Sequence, residues 1–236
     1  MKTLSIIPAR GGSKELPDKN ILPFCGHPLI AWTIIQSLSS ELIGRTIVST
    51  DSSKIQKIAE QYGAEAPFLR PSELSDDIVM PDLALVHAID FLKGEGYAPD
   101  FVVMLQATSP IRLPGTIDRG ISLLQKKNFD AVLSVNKNHR FIWRNPELPT
   151  ANYDVKNRPR RQDFKPDEIE YFETGSIYVC RTDVLLSGKN RMGGRIGMLQ
   201  TSKVESLEID SVEDFELVQV VAKTLCEKLE VPTKAR

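Results

Sequence analysis

Cysteine is scarce in this 236-residue chain, and its placement excludes two uses. Cys25, Cys180 and Cys226 are odd in number and far apart, with no C-x-x-C pair. That argues against a disulfide framework and against a zinc site. His27, His87 and His139 are equally scattered, so they build neither a histidine metal centre nor a Ser/His triad. Neither sign of charge dominates: 30 basic and 31 acidic residues leave a formal charge of −1. No global field therefore draws the chain to nucleic acid or to a membrane, and any basic site must be local. No apolar run approaches about 18 residues. The N-terminus enters a strand without a charged-then-apolar leader. The expectation is a cytoplasmic protein with neither membrane nor nucleic acid as partner. Two familiar phosphate motifs are also missing, since neither G-x-G-x-x-G nor G-x-x-x-x-G-K-[ST] occurs.

What is present first is an unusual opening. Leu4 to Ile7 is a short, Pro-terminated apolar run that reads as a buried strand. Ala9-Arg10-Gly11-Gly12-Ser13-Lys14 follows at once, and Lys19-Asn20 soon after. The two glycines let backbone approach a ligand closely. Arg10, Lys14 and Lys19 gather three cations, and Ser13 and Asn20 add hydrogen-bonding groups. Free backbone N–H groups among cations suit a polyphosphate. The first strand-to-helix crossing is also where open parallel sheets place ligands.

Along the chain, helical spacing marks a segment opened by Pro28 at its first helical position, then Lys54–Tyr62, Asp82–Leu92, Thr116–Lys126 and Val212 to about Leu229. Strands are expected at Thr46–Asp51, Phe101–Leu105, Ala131–Val135, Ile177–Cys180 and Val204–Ile209. Alternation of this kind predicts one α/β domain, 1–236, with a mostly parallel sheet. With 41% hydrophobic residues the chain can bury an ordinary core. The pattern breaks over about 137–172, which is rich in Asn, Arg, Pro and Asp and too long for an ordinary loop. It reads as an inserted arm.

Three later constellations carry chemistry. Leu105-Gln106-Ala-Thr108-Ser109-Pro110-Ile-Arg112 sets an amide, two hydroxyls and a guanidinium just past the most hydrophobic strand. Such groups can orient a polyhydroxylated sugar acid. Ser206-Leu-Glu208-Ile-Asp210 is the metal candidate, because residues two apart in a strand point the same way. Mg²⁺ accepts one or two carboxylates and completes its octahedron with water and phosphate oxygens. Asp51 reads as an N-cap for the helix beginning near Ser53. Arg70, by itself, could equally be a surface cation.

The run I-I-P-A-R-G-G-S-K-x-x-P-x-K-N resembles the N-terminal signature of the CMP-N-acylneuraminate synthetase (sialic-acid cytidylyltransferase) family. The likeness extends to L-R-P-x-x-L-x-x-D at Leu69, L-Q-x-T-S-P-x-R at Leu105 and G-x-I-Y at Gly175. It implies a Rossmann-like nucleotidyltransferase sheet with a protruding dimerisation arm, acting as a homodimer. It implies transfer of CMP from CTP to the anomeric hydroxyl of a sialic-acid-like nonulosonic acid, with Mg²⁺ as cofactor. By the same resemblance Ala9, Arg10, Gly11, Gly12, Ser13, Lys14, Lys19, Asn20 and Arg70 hold the nucleotide, with Arg10, Lys14 and Asp210 catalytic. Gln106, Thr108, Ser109, Arg161, Gln162, Thr174 and Gly175 face the acid, and Asp210 with Glu208 holds the metal. Three positions depart from the family pattern: Glu15 for a small residue, Thr174 for Asn and Glu208 for Asp. Thr174, with no Arg just before it where sialic-acid-specific members often place one, leaves open the identity of the acid. Sialic, legionaminic and pseudaminic types are all admitted, and the three departures together keep a non-catalytic reading open. A different nucleotide, an eight-carbon keto acid and a non-catalytic nucleotide-binding homologue are the alternatives.

Overall fold

Short apolar runs flanked by helices have one economical outcome, strands buried on both faces, and the chain adopts it. The computed structural model describes residues 1–12, 15–76, 79–138, 140–225 and 227–235, with the Arg161 side chain left out of the description. In chain order the elements are β1 (Thr3–Pro8), β2 (Pro23–Phe24), β3 (His27–Pro28), α1 (Leu29–Leu38), β4 (Arg45–Ser49) and α2 (Ser53–Gln61). Then come α3 (Pro81–Gly94), β5 (Phe101–Leu105), α4 (Thr116–Lys127), β6 (Ala131–Lys137), β7 (Trp143–Arg144) and β8 (Thr150–Ala151). The chain ends with β9 (Tyr171–Arg181), α5 (Thr182–Gly188), β10 (Ile196–Gln200) and α6 (Val212–Thr224). Among the described residues no helix is long and apolar enough to cross a membrane.

Six strands form the central sheet in the order β10-β6-β9-β5-β1-β4. Only β9 runs against its neighbours, antiparallel to both β5 and β6. Along β1 and β5 the side chains alternate between two cores. Ile7, Val103 and Leu105 pack towards Ile34, Ile55 and Ile121, whereas Leu4, Ile6, Val102 and Met104 pack towards Leu85, Ile89 and Leu185. A third cluster joins Phe24 and Trp32 to Ile209, Val218 and Ala222, and so docks α6 against β2 and α1. The chain passes from β1 to β4 on one side and returns to β5 on the other. That reversal opens a crevice at the carboxyl ends of β1 and β5.

Several expectations needed revision. Val204–Ile209 is not a strand: Val204–Ser206 is a 3-10 turn, and beyond it Ile209 N–H donates to Thr108 O at 2.8 Å. The buried Glu205 carboxylate causes this, since it accepts from Ser202 N–H at 3.1 Å and Leu113 N–H at 3.1 Å and closes a turn. β10 and α5 were not anticipated. β10 alternates exposed and buried residues, and Gly197 interrupts its side-chain pattern because the Phe129 ring occupies the space of a Cβ. Pro28 precedes α1 rather than opening it, and α6 ends at Thr224, short of Leu229.

The inserted stretch leaves after Lys137 and returns at Tyr171, which are register partners. Its neck is closed by Asn138 N–H on Glu170 O at 2.9 Å. Outside the neck, β7 and β8 form a small hairpin. Phe141 packs on Tyr153 at 4.5 Å between ring centres, with the Arg158 guanidinium 4.5 Å above the Phe141 ring.

β9 carries one irregularity that bears on the site. Its register against β6 shifts between Leu133 and Val135. There Ser134 Oγ accepts the Ile177 N–H at 2.9 Å and lies 2.7 Å from Thr174 Oγ1. A side chain thus replaces a ladder bond inside the sheet. Ser134→Ala leaves that N–H unpartnered, while the Thr174 hydroxyl keeps Ser134 O at 3.2 Å, and is expected to cost about 1–3 kcal/mol. Urea denaturation at unchanged slope will measure it; a midpoint equal to the parent's would mean that the backbone alone holds the bulge.

Candidate active site

A cavity of about 370 Å³ occupies the crevice beyond β1 and β5. Three groups of side chains line it, each delivered by a different segment. After β1 the backbone turns through the glycines, and Gly11 N–H donates to Asp51 Oδ1 at 2.8 Å. A Cβ on Gly11 would stand 3.0 Å from Ser52 Cβ, so the loop lies close against the end of β4. Asn20 is buried and donates to Arg10 O at 3.1 Å, which folds the loop back on itself. Ala9 is buried beneath it, its N–H on Ser49 O at 3.0 Å. Arg10, Lys19 and Asn20 line the cavity. Ser13 and Lys14 lie outside the described residues.

Asp51 is not the helix cap. Ser52 takes that position, accepting the Ile55 N–H at 3.5 Å, and leaves the Asp51 carboxylate to hold the Gly11 amide.

Arg70 forms the second wall. It is buried, with Nε donating to Ser75 Oγ at 2.9 Å and Nη1 to Ser49 O at 3.4 Å. Burial lowers its pKa, Asp51 opposes that, and Arg10 adds to it as a like charge. Ser75, Asp76 and the first turn of α3 complete this side.

The third wall brings Gln106 and Thr108, which follow β5, against Glu208 and Asp210 from near the other end of the chain. Thr108 Oγ1 has two acceptors within reach, Gln106 Oε1 at 3.3 Å and Glu208 Oε1 at 3.2 Å. Gly175, in the left-handed region at φ +68°, lies directly beneath them. An added Cβ there would meet Glu208 Oε2 at 3.1 Å and Gln106 Oε1 at 3.2 Å. Lys19 closes the ring by donating to Ile209 O at 2.8 Å and Asp210 Oδ1 at 3.1 Å. Burial raises the Glu208 pKa and Asp210 adds to the shift, while the Thr108 hydrogen bond and Lys19 oppose it.

The remaining residues singled out from the sequence lie elsewhere. Thr174 is buried with its hydroxyl engaged by Ser134 and is not part of the cavity wall. Ser109 is buried, and its Oγ has no partner among the described residues. Gln162 is exposed in the arm, in the 3-10 turn Arg161–Asp163. Arg112, whose guanidinium was expected among the groups orienting the acid, is instead buried with its terminal nitrogens on α1 and two backbone carbonyls, and a second organiser, Glu205, had no sequence assignment. Their burial was signalled only weakly, by flanking Ile111, Leu113 and Val204.

No group of three or more His, Cys, Asp or Glu gathers for a metal among the described residues. The donors that fit Mg²⁺ are the two carboxylates on one wall, near enough that Asp210 raises the Glu208 pKa. Two hard oxygen donors suit an ion that completes its shell with water and phosphate.

A sequence profile of the cytidylyltransferase family matches residues 4–225. The pseudaminic acid cytidylyltransferase of Campylobacter jejuni (strain 81-176) is 31% identical over 228 residues, covering 94% of this chain and 97% of that protein. The N-acylneuraminate cytidylyltransferase of Escherichia coli O18:K1:H7 is 34% identical over 221 residues, covering 92% of this chain and 51% of that protein. Among solved structures, CMP:2-keto-3-deoxy-manno-octonic acid synthetase complexed with CTP superposes with a TM-score of 0.70 at 17% identity, over 95% of this chain and 99% of that one.

The raised Glu208 pKa has a consequence for stability. Between the ordinary Glu value and the raised one, the folded protein binds more protons than the unfolded chain. Stability from this group is therefore present at low pH and lost as pH rises through the raised value. Without metal, Glu208→Gln should melt above the parent at pH 8, and the gap should narrow on acidification. A variant that melts below the parent at pH 8 would show that Thr108 and Lys19 outweigh burial.

Proposed function

The chain belongs to the cytidylyltransferase family, and on that premise we propose that it transfers CMP from CTP to the anomeric hydroxyl of a sialic-acid-like nonulosonic acid, releasing pyrophosphate. The observation that carries this reading is the single cavity in which Arg10, Lys19 and Asn20 face Gln106, Thr108 and the Glu208–Asp210 pair. One wall suits a triphosphate, the opposite wall suits a polyhydroxylated acid, and carboxylates stand between them. The names of the relatives, which act on pseudaminic and N-acylneuraminic acids, support the class of acceptor.

In this mechanism Arg10 and Lys19, with Lys14 from the same loop, offset the charge that accumulates on the departing pyrophosphate. Such transfers depend mainly on positioning and electrostatics. The glycine-rich backbone of 11–12 lets the phosphates approach closely. Arg70 and Ser75 border the nucleotide's other end. Gln106 and Thr108 orient the acid so that its hydroxyl lies in line with the α-phosphate. Asp210, with Glu208 beside it, would hold Mg²⁺, which supplies charge neutralisation at the α-phosphate when bound.

The arm supports assembly as a homodimer. Trp143, Leu148 and Val155 are exposed apolar side chains on it, a natural surface for a second copy. From there Arg161 and Gln162 would contribute to the partner's acid site. Light scattering of the purified chain tests this, a monomer at micromolar concentration being the contrary result. We assign the reaction to the cytoplasm, where CTP is made.

Pyrophosphate release, measured with each nucleoside triphosphate against a panel of keto acids, tests the reaction itself. CTP with a nonulosonic acid should give turnover that requires a divalent cation. Asp210→Ala and Lys19→Met should each lower kcat by about 10²–10³-fold, the scale of losing one electrostatic group at a reacting centre. Turnover only with an eight-carbon acid or another nucleotide would move the specificity. Tight CTP binding without any turnover would make the chain a nucleotide-binding homologue.

A further inference from the structure

Arg112 is the largest fully buried side chain, and the chemistry proposed above does not use it. Burial pushes its pKa down to about 9, and Glu205 is the opposing charge. A buried cation of this kind is costly unless its donors are satisfied. Four hydrogen bonds from its two terminal nitrogens satisfy most of it. Nη1 donates to Thr33 Oγ1 at 3.1 Å and to Gln36 Oε1 at 3.0 Å, both on α1. Nη2 donates to Gln106 O at 2.7 Å and to Ser176 O at 2.8 Å.

The last two contacts fall at a decisive place. The β5–β9 ladder ends at the pair Leu105–Ile177. Gln106 and Ser176 are the next residues on each strand, linked by a long backbone bond of 3.4 Å. One terminal nitrogen, Nη2, bridges their carbonyls, and Nη1 ties that bridge to α1. Immediately beyond stand the Gln106 side chain on one strand and Gly175, under the Glu208 carboxylate, on the other. We propose that Arg112 is a positioning residue for the acceptor side of the cavity, its guanidinium setting the gap between Gln106 and Gly175 in which the acid is oriented.

The inference rests on the reading that the acid binds on the Gln106 side. It separates Arg112 from a general stabiliser, because the nucleotide wall hangs from β1 and β4 and receives no bond from this guanidinium. Loss of the bridge should therefore disturb the acid and spare CTP.

The test uses the intact enzyme with CTP, Mg²⁺ and whichever keto acid the parent turns over, and CTP affinity is measured separately by calorimetry without acid. Arg112→Lys keeps the charge, but a single ammonium lacks the second, coplanar nitrogen that ties the carbonyl bridge to Thr33 and Gln36. It should lower kcat/KM for the acid by about 10²-fold, the scale of an ångström misplacement, at parent CTP affinity. Thr33→Val removes one anchor of Nη1 and should lower the same constant by about 10-fold. Parent-like acid constants in Arg112→Lys, or equal losses for acid and CTP, would overturn the proposal. If the lysine variant does not fold, Thr33→Val decides alone, and a parent-like acid constant overturns it. Failure of the underlying reading is distinct, since it shows in the parent as no turnover with a nonulosonic acid.

Discussion

One ammonium ties the two ends of the site together. Lys19, eleven residues past β1, donates to Ile209 O at 2.8 Å and to Asp210 Oδ1 at 3.1 Å. Its energetic weight is small, because Asp210 is largely exposed and such pairs contribute roughly 0–1 kcal/mol. Its weight in geometry is larger. The opening loop and the acidic segment come from opposite ends of the chain, and this bond fixes their separation. An ammonium has three donors, so one N–H remains for a ligand oxygen in the same cavity. The apolar cluster of Phe24, Trp32, Ile209 and Val218 supplies the stability that the ion pair does not.

Legibility in the sequence followed from how local each cause was. Phe101–Leu105 reads correctly to the residue because a strand buried on both faces is a plain apolar run. The turn at Val204–Ser206 reads wrongly as a strand because its cause is a carboxylate satisfied by Leu113 and Thr116, about ninety residues earlier. β10 escapes notice because Gly197 stands where Phe129 fills the space, a contact no periodicity records. The candidate site divides the same way. Arg10, Lys19, Asn20, Arg70, Gln106, Thr108, Glu208 and Asp210 share one cavity, and each stands in a contiguous motif. Thr174 also stands in a motif, yet its hydroxyl answers to a bulge opposite Ser134. Asp51 turned on which of two adjacent residues reached the helix amide, a choice that propensity alone cannot make.

The single antiparallel strand explains why the acid side lies where it does. Since β9 runs opposite to β5 and β6, its early residues, not its late ones, reach the carboxyl edge of the sheet. Gly175 is thereby delivered to the crevice, and its left-handed backbone leaves room for the Glu208 and Gln106 side chains. A parallel strand in this place would have presented its other end. The Ser134 bulge allows the strand to keep its ladder below the site while changing course at it.

Two buried ions frame this arrangement without touching. Arg112 reaches α1, β9 and the residue after β5, while Glu205 accepts from Leu113, Thr116 and Ser202. Apolar residues of similar volume often stabilise a core at least as well as buried charges do, so stability alone does not account for them. Direction does. Apolar packing is tolerant of small sliding, whereas a planar guanidinium holding two carbonyls with one nitrogen and α1 with the other, or a carboxylate shared by two amides, has one good geometry. The segments they hold, 106–116 and 202–210, meet through Ile209 N–H on Thr108 O at 2.8 Å. A site assembled from such distant segments needs its walls set to a fraction of an ångström. Directional interior charge meets that need where a larger hydrophobic core would not.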